Sequence, residues 1–549
     1  MPNAIPMTFA RSARFLLLIA AMVTPALCVQ PEAAGGELAR QRLLVRKEGP
    51  AILNSLWRWI ANRNPTLDKW DLDNRLLSWS PRDHWTLRDA VEGTLILGAT
   101  GSGKSSGSGA AVAHALLANA NAGGLVLTAK SDERALWERY CRECGRIDDL
   151  LVFGPNEPLR FNFLDFELNR PGAGAGLTEN IVNLFANVLE IAERNSGADG
   201  DHGESFWRRT NRQLLRNLCD LLAIAIGRVS VPDLVKLCLS APTSTAQFKD
   251  PVWRERSFCF HCLKEGEERQ KSAREDHDFD IVADFFMLEW PNLSEKTRSV
   301  VMATFTSMAD VLNRGVLREL FCTETNITPK AIEEGKIILI DLPVKEYAEV
   351  GQFAQVLWKY CFQRSIERRD ANANPRPVVL WADEAQHFTT SYDMQFQTTC
   401  RAARVATVYL SQNLSNFYAA LGGTEKAKSE AASLFANMNT KVFHANSDPI
   451  TNEYAATLIG RRRQVFMNGN NSYSPDAYLD SWLGLRAPSQ ASAGFSESYE
   501  FDVQPAAFAR LRSGSAANGW NVDALLFKNG KVFRDTGRTW MKVTFRQKH

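Results

Sequence analysis

The stretch GATGSGKSS, residues 98–106, decides the fold class of this 549-residue chain. Its spacing fits the pattern GxxxxGK[ST], in which backbone N–H groups surround phosphates, a lysine reaches the terminal phosphates and a hydroxyl binds Mg²⁺. The apolar segment GTLIL precedes it at 93–97, and the Ala-rich run AAVAHALLANA follows it at 110–120. The order strand, loop, helix predicts that phosphates bind at the positive end of a helix dipole.

Residues of this loop are therefore the predicted contacts of a bound nucleotide. Lys104 is predicted to bind the β- and γ-phosphates of ATP, and Ser105 to bind Mg²⁺. The nucleotide-binding residues predicted from the pattern are Gly98, Ala99, Thr100, Gly101, Ser102, Gly103, Lys104, Ser105 and Ser106.

The stretch VVLWADEAQHF, residues 378–388, supplies the acidic groups that ATP hydrolysis needs. Asp383 and Glu384 directly follow an apolar segment that predicts a buried strand, and ligands of open α/β sheets bind at the carboxyl ends of the strands. Asp383 is predicted to support Mg²⁺, and Glu384 to polarise an attacking water. Glu384 is the residue that distinguishes hydrolysis from nucleotide binding alone.

A third stretch, RAARVATVYLSQN at 401–413, places a polar amide at the end of another strand. Gln412 is predicted to lie beside the γ-phosphate and to sense its presence. Arg401 and Arg404 precede the strand, and either could reach the same nucleotide or that of a neighbouring subunit, as an arginine finger does. Arg401 is the stronger candidate of the two.

Seven apolar segments alternate with helical periodicity, which is typical of a mainly parallel α/β sheet with crossover helices. The predicted strands cover 93–97, 124–129, 149–154, 336–344, 377–383, 405–411 and 440–445. Between the third and fourth strands, Gly-rich loops and amphipathic segments such as 204–226 predict an inserted all-helical domain.

Near the end of the chain, 468–502 is rich in Ser, Asn, Gly and Pro and predicts a long flexible loop. Residues 522–535 predict a hairpin around Asn529-Gly530, followed by a strand at 540–545. The predicted organisation is an N-terminal hydrophobic segment with a basic linker, two halves of the motor domain around the helical insertion, the loop, and C-terminal strands. The corresponding boundaries are 1–48, 49–172, 173–326, 327–467, 468–502 and 503–549.

Charge and cysteine content narrow the class of protein. The formal net charge is only +2, but residues 504–549 carry nine Lys or Arg against two acids. Ten cysteines in a chain of this length are typical of reduced thiols in the cytosol. The pairs Cys141 with Cys144 and Cys259 with Cys262 leave a zinc site open, although ordinary thiols are the favoured interpretation because the pairs lie far apart in sequence.

The N-terminal run from Phe15 to Val29 is apolar and follows Arg11 and Arg14. Its length is that of a signal-peptide core and is short for a bilayer span of about 20 residues. Because an ATP-binding domain needs cytosolic ATP, we expect an anchor in the inner membrane with the motor domain in the cytoplasm. Cleavage of this signal-like segment remains the alternative.

Several segments together resemble the TraG/TraD family of type IV secretion coupling proteins, which includes a TraM-recognition region. The segments are GATGSGKS, TAKSDE with Lys130, FNFLDF with Asn162, ESFWRRTNRQLLRNL, LWADEAQHF, YLSQNL and NTKVFHANSDPITNEYAATLIGRR. The family motif after the second strand usually has Asp before the lysine and Gly after it, where this chain has Ala129 and Ser131.

The resemblance implies a RecA-like P-loop NTPase motor with an inserted all-α domain. It assigns Lys104 and Ser105 to Walker A, Asp383 and Glu384 to Walker B, the sensor role to Gln412, and a catalytic role to Arg401. It further implies a homo-hexameric ring that delivers relaxase-bound single-stranded DNA to the components of a secretion channel. Two alternatives stay open: a nucleotide-gated substrate receptor of the secretion system without motor activity, and another ring-forming DNA-translocating ATPase.

Overall fold

The computed structural model describes residues 69–185, 204–472 and 490–547. Its central feature is a nine-stranded sheet with the spatial order β13-β12-β9-β3-β8-β7-β4-β6-β5. All seven strands predicted from apolar segments are present, and the mixed α/β class is confirmed. The sheet consists of β3 (Thr94–Leu97), β4 (Gly123–Leu127), β5 (Leu150–Phe153), β6 (Ile337–Ile340), β7 (Val378–Ala382), β8 (Val405–Ser411), β9 (Thr440–Phe443), β12 (Asn521–Lys528) and β13 (Trp540–Arg546).

Strands β3 to β9 are parallel to one another, so their carboxyl ends meet at one edge of the sheet. Every residue of β3, β4, β6, β7, β8 and β9 is buried, which explains why their sequences are mainly apolar. Successive side chains enter opposite hydrophobic clusters: Leu95 and Leu97 belong to one, and Ile96 to the other. We call the two borders of the sheet the carboxyl edge and the amino edge.

The part of the chain before the helical segment also contains a small hairpin that the sequence analysis did not predict. Its strands β1 (Arg75–Ser78) and β2 (His84–Thr86) are antiparallel. The helices of this part are α1 (Leu87–Val91), α2, made of the consecutive segments Ser105–Gly109, Ala110–His114 and Ala115–Asn119, and α3 (Glu133–Glu143).

Within the described residues between β5 and β6, the chain forms helices and no strand. Its two ends meet where Phe161 and Thr325 form an isolated antiparallel bridge. The helices are α4 (Phe163–Asn169), a helical segment at 178–185, α5 (Glu204–Ile226), α6 (Val231–Ser240), α7 (Pro251–Arg256), α8 (Phe258–Glu268), α9 (Ala273–Asp284) with its continuations Phe285–Glu289 and Trp290–Asn292, α10 (Glu295–Asp310), α11 (Gly315–Phe321) and α12 (Lys330–Glu333).

After the helical segment, the chain returns to alternating strands and helices. Its longest helix packs beneath the sheet and has a non-helical residue, Ala348, with φ of 46°. The helices of this part are α13 (Val344–Glu367), α14 (Ser391–Thr399), α15 (Leu414–Ala420), α16 (Glu425–Ala436), α17 (Pro449–Ile459) and α18 (Pro505–Phe508).

The prediction of a flexible loop at 468–502 is wrong for its described part. Strands β10 (Arg461–Ser472) and β11 (Gln490–Phe501) form a two-stranded antiparallel ribbon, with Arg461 opposite Phe501 and Ser472 opposite Gln490. The Ser, Asn and Gly residues that suggested a loop are accommodated because neither strand belongs to the buried sheet. The prediction for residues 473–489 lies outside the described residues.

The prediction of a hairpin around Asn529-Gly530 is also wrong for the position of its second strand. Strand β12 pairs with β13, which begins only at Trp540. Lys531, expected in the returning strand, instead contacts β2 and α1: its Nζ donates to His84 O at 2.7 Å and to Asp89 Oδ2 at 2.8 Å. Side-chain contacts distant in sequence thus override a favourable turn sequence.

No helix among the described residues is long and apolar enough to cross a membrane. The predicted anchor at 15–29 lies outside the described residues.

Candidate nucleotide-binding site

The loop at 98–106 joins β3 to α2 at the carboxyl edge. Gly101 and Gly103 have φ of 75° and 84°, a region that favours glycine. A Cβ on Gly98 would lie 2.5 Å from Ser102 Oγ and 2.6 Å from His444 Cβ, so only glycine fits there. The glycines of the pattern are therefore required by backbone conformation and by close packing.

Ser105 meets Asp383, as expected of two ligands of one Mg²⁺ ion. The Ser105 hydroxyl donates to Asp383 Oδ2 at 2.6 Å. Ser102 Oγ, in the same loop, is buried without a hydrogen-bond partner. Oxygen ligands of this kind suit Mg²⁺, and an unpaired buried hydroxyl in the loop suits a polar ligand. These residues thus fit a nucleotide with Mg²⁺.

Glu384 lies between two lysines. Its Oε1 is 3.5 Å from Lys104 Nζ and 3.3 Å from Lys130 Nζ, and its Oε2 accepts a hydrogen bond from Gln386 Nε2 at 3.0 Å. Burial alone would raise the pKa of this carboxyl. The hydrogen bond from Gln386 and the two lysine charges outweigh burial and lower the pKa to about 2, so Glu384 is ionised at neutral pH.

The backbone of Glu384 is in the left-handed region, with φ of 51°. A residue other than glycine in this conformation costs about 1 kcal/mol or more, and such strain is frequent at functional sites. The strained residue directly follows β7, where the side chain reaches the loop of Lys104.

Gln386 connects Glu384 to the end of β8. Its Oε1 accepts a hydrogen bond from Ser411 Oγ at 2.7 Å. The next residue is Gln412, whose carbonyl oxygen accepts from Asn446 Nδ2 at 2.8 Å. Gln412 thus lies at the carboxyl edge, in the region where the sequence predicts it. The sequence analysis missed Gln386, although its place two residues after Glu384 in a polar stretch was a usable signal.

Lys130 and Glu133 complete the charged group at this edge. Burial lowers the pKa of Lys130, but Asp383, Glu384 and Glu133 outweigh it and raise the pKa. Burial, together with the charge of Asp383, raises the pKa of Glu133 well above its usual value. The contact with Glu384 therefore gives Lys130 a definite place in the site despite the departure from the family motif.

Arg401 does not come near this group. It lies before β8 at the amino edge, where its Nη2 is 3.4 Å from Glu92 Oε1 and its side chain is 58% exposed. The seven residues of β8 span about 20 Å, so Arg401 cannot reach the nucleotide of its own chain. Its catalytic role stays a prediction that requires a neighbouring subunit.

Arg404 is held by backbone contacts at the same edge. Its Nη1 donates to Trp70 O at 2.6 Å and to Pro375 O at 3.2 Å. Its φ of 53° lies in the left-handed region. These contacts give Arg404 a structural position, and it is a poorer candidate than Arg401 for an arginine finger.

Beneath the loop, His444 packs against α2 with full burial. Its Nε2 and Ser108 Oγ are joined by a hydrogen bond of 2.7 Å. Burial lowers the pKa of His444 to about 3, so the imidazole is neutral. From the other side, Gln547 Nε2 donates to Ser106 Oγ at 2.6 Å. The C-terminal strands thus support the loop, although they are distant from it in sequence.

The cysteine pairs considered for zinc lie in different hydrophobic clusters. Cys141 packs in one, and Cys259 and Cys262 pack in the other. Burial raises the pKa of Cys141 to about 11 and that of Cys262 to about 12. Among the described residues no group of three or more potential metal ligands is found.

A parallel sheet with a P-loop after β3 and two acids after β7 defines the class of protein as a P-loop NTPase of RecA-like fold. Comparison with known proteins narrows this class. Residues 377–492 match the family model for the TraM recognition site of TraD and TraG. The matched segment contains Asp383, Glu384, Arg401 and Gln412. No curated protein matches the chain by sequence.

Among solved structures, the bacterial conjugative coupling protein TrwBdeltaN70 in its unbound monoclinic form is 17% identical, with a TM-score of 0.51, and the match covers 89% of this chain and 91% of that chain. The plasmid coupling protein TrwB in complex with the non-hydrolysable ATP analogue ADPNP is also 17% identical, with a TM-score of 0.51 and coverage of 84% and 86%. At this identity the likeness shows the shared fold. Together with the family-model match, it confirms the resemblance to the TraG/TraD coupling proteins.

Proposed function

We propose that this chain is an ATP-hydrolysing coupling protein that recruits relaxase-bound single-stranded DNA, or a protein substrate, and pumps it to a type IV secretion channel. One observation carries the proposal. Lys104 and Ser105 lie beside Asp383 and Glu384, although 278 residues separate Ser105 from Asp383. The fold shared with a conjugative coupling protein that binds an ATP analogue supports it.

Lys104 supplies positive charge to the phosphates. In the present geometry its ammonium is 3.5 Å from Glu384, a long ion pair that a ligand with greater negative charge can replace. When Lys104 turns to the phosphates, Glu384 loses one of the two cations that hold its pKa low. Glu384 then becomes a better proton acceptor, and does so only when substrate is bound.

Ser105 and Asp383 are the ligands for Mg²⁺. When bound, the ion neutralises charge that develops on the β- and γ-phosphates. The Ser105 hydroxyl, which donates to Asp383 Oδ2, would hold the ion from the loop, and the Asp383 carboxylate would hold it from the end of β7.

Gln386 and Gln412 link the hydrolytic group to the rest of the sheet. Gln386 bonds to both Glu384 and Ser411, so a change at the carboxylate is passed to the end of β8. Gln412 follows Ser411 directly. In this proposal Gln412 senses the γ-phosphate, and its backbone contact with Asn446 passes the change toward α17.

Arg401 acts on the nucleotide of a neighbouring copy. Its exposed side chain lies at the amino edge, away from its own loop, so a ring of subunits is needed to use it. A homo-hexamer supplies such a neighbour at each interface. Single-stranded DNA would contact the ring through its phosphates, in accord with the basic C-terminal segment, and binding would weaken with salt.

The remaining partners are the relaxosome and the components of the secretion channel. The TraM-recognition segment at 377–492 supports a relaxosome contact. The apolar run at 15–29 would anchor the chain in the inner membrane, with the motor domain in the cytoplasm.

ATP hydrolysis by the purified full chain tests the motor function. We expect single-stranded DNA to stimulate hydrolysis, and Glu384→Gln to abolish the stimulation while nucleotide binding persists. Glu349→Gln, an exposed carboxylate on α13, is the matched control and should behave as the wild type. If DNA has no effect and Glu384→Gln hydrolyses ATP normally, the motor proposal is wrong.

Transfer of a mobilisable plasmid tests the same site in cells. A Lys104→Ala strain should fail to transfer the plasmid if the chain powers transfer. A nucleotide-gated receptor would instead retain transfer in Glu384→Gln, which still binds nucleotide, and lose it in Lys104→Ala. The two variants therefore separate a motor from a receptor.

A further inference from the structure

Glu384, the proposed acceptor of the water proton, is held by three donors. Its Oε1 is 3.5 Å from Lys104 Nζ and 3.3 Å from Lys130 Nζ, and its Oε2 accepts from Gln386 Nε2 at 3.0 Å. The residue is only 5% exposed. A water that gives a proton to Glu384 must hydrogen-bond to one of these oxygens, and both already meet a donor. In this arrangement Glu384 is therefore not open to the attacking water.

Nucleotide binding would remove only one of the two lysines. Lys104 belongs to the loop at 98–106, so the phosphates of ATP would take its ammonium away from Glu384. Lys130 lies outside this loop, after the end of β4, and its contact with Glu384 Oε1 does not depend on the loop. Release of Lys130 from Glu384 is therefore a separate step from the binding of ATP.

Glu133 offers Lys130 a second partner. Glu133 is 5% exposed, and its Oε2 accepts a hydrogen bond from Ala129 N at 3.1 Å. Its Oε1 is buried and has no hydrogen-bond partner within the part of the chain that the structure describes. A buried carboxylate oxygen without a donor is costly, and a lysine ammonium would satisfy it. Glu133 Oε1 is thus a vacant acceptor for a nearby cation.

Lys130 and Glu133 belong to the same turn. The backbone N–H of Glu133 donates to Lys130 O at 3.3 Å, so the two side chains start from neighbouring positions. The strand end before them is fixed, because Gln355 accepts from Thr128 N at 2.6 Å and donates to Thr128 O at 2.7 Å. A lysine has a flexible four-carbon stem. Its ammonium can therefore change partner by rotation of the side chain, without movement of the strand.

We propose that Lys130 and Glu133 are positioning residues that control ATP hydrolysis. Lys130 blocks Glu384 in the absence of DNA and moves to Glu133 Oε1 when single-stranded DNA binds, which opens Glu384 to the attacking water. One buried contact between an ammonium and a carboxylate replaces another, so a modest difference in binding energy shifts the equilibrium. The inference rests on the function proposed above, because it concerns when Glu384 acts.

Hydrolysis by the full chain, with and without single-stranded DNA, tests the block by Lys130. Lys130→Met retains most of the side-chain length and removes the charge. It should raise hydrolysis without DNA by about tenfold, because a charged hydrogen bond no longer has to be broken, and DNA should then add little. Lys426→Met, exposed on α16, is the matched control and should behave as the wild type. Unchanged or lower hydrolysis without DNA in Lys130→Met would overturn the proposal.

Glu133→Gln separates the acceptor role from a purely structural one. The amide oxygen of glutamine can still accept from Ala129 N, but no carboxylate remains to receive Lys130. Hydrolysis with DNA should fall several-fold per folded molecule. Glu138→Gln, on the same helix α3, is the matched control and should be stimulated as the wild type is. Wild-type stimulation in Glu133→Gln would mean that the residue only stabilises the turn, and would overturn the proposal.

The double variant shows whether Glu133 acts through Lys130. Adding Glu133→Gln to Lys130→Met should change hydrolysis by less than about twofold, because the lysine that Glu133 would receive is absent. A fall as large as that in the single variant would show that Glu133 acts independently of Lys130 and would overturn the proposal.

The same measurements distinguish failure of this control from failure of the proposed function. If DNA does not stimulate the wild type but Lys130→Met still raises hydrolysis, the motor proposal is wrong and the block by Lys130 stands. If DNA stimulates the wild type and Lys130→Met has the wild-type rate without DNA, the motor proposal stands and the block is wrong.

Discussion

Lys104 and Lys528 are buried lysines at opposite edges of one sheet, 6% and 4% exposed. At the carboxyl edge, Lys104 Nζ is 3.5 Å from Glu384, a carboxylate that it shares with Lys130. At the amino edge, Lys528 Nζ lies between two carboxylates, 2.6 Å from Glu92 and 3.4 Å from Asp89.

Under the proposed function, this difference in contacts separates a lysine that binds phosphate from one that stabilises the fold. A buried charge is costly unless it is closely paired, so the short contacts of Lys528 hold the end of β12 against α1. The looser contact of Lys104 leaves its charge available to a ligand. Burial and residue type are alike in the two cases, and partner geometry decides the role.

Lysine to methionine should impair ATP hydrolysis at position 104 and the stability of the fold at position 528. The larger effect is expected at position 104, at the carboxyl edge. Lys104→Met should lower ATP hydrolysis by about 10³-fold, which corresponds to about 4 kcal/mol of transition-state stabilisation. Its free energy of unfolding should change little, because Glu384 keeps Lys130 as a partner. Steady-state hydrolysis and urea unfolding measure the two effects; a large loss of stability with intact hydrolysis would contradict the assignment.

Lys528→Met should have the opposite profile. It leaves Glu92 without its closest cation and leaves the buried carboxylate of Asp89 with Lys531 alone, so the free energy of unfolding should fall by about 3 kcal/mol. Hydrolysis per folded molecule should stay at the wild-type level. A variant that unfolds normally but has lost hydrolysis would show that the amino edge has a role in the chemistry.

Two glycines of the loop sharpen the comparison within the carboxyl edge. Gly98→Ala places a Cβ 2.5 Å from Ser102 Oγ and should cost about 2 kcal/mol of stability and weaken nucleotide binding. Gly101→Ala has no atom within 4 Å of the new Cβ and carries only the cost of positive φ, about 1 kcal/mol. Thermal unfolding and nucleotide titration of both variants check that Gly98→Ala loses more stability than Gly101→Ala. Equal losses of stability would show that the close contact with Ser102 is not the cause.

The smallest effect is the pH dependence of the amino-edge contact. Burial raises the pKa of Asp89, but Lys528 and Lys531 outweigh it and lower the pKa below its usual value near 3.8. A lowered carboxyl pKa stabilises the fold above the unfolded pKa, and the gain is lost as the pH falls through the folded pKa. The difference in stability between wild type and Lys528→Met should therefore narrow below about pH 4. A difference that stays constant from pH 7 to pH 3 would exclude this charge interaction.

The seven parallel strands of the sheet could be predicted because six of them are buried on both faces, which favours mainly apolar segments. The loop at 98–106 could be predicted because close packing and positive φ require glycines at its fixed positions. The ribbon could not, since its exposed strands carry the Ser, Asn and Gly composition of a loop. The prediction of a returning strand directly after Gly530 was wrong, because Lys531 contacts β2 and α1, which are distant in sequence, and these contacts override the local turn preference.

By itself, the sequence determined which residues are predicted to bind phosphate and Mg²⁺, since that prediction depends on residue type and on spacing within a single turn. Only the tertiary structure decided which of these residues meet. Strand order brings Asp383 and Glu384 to Lys104 and Ser105, adds Lys130 and Gln386, and sends Arg401 to the opposite edge. Distances between residues hundreds of positions apart depend on how the strands are ordered in the sheet, and no local pattern encodes that order.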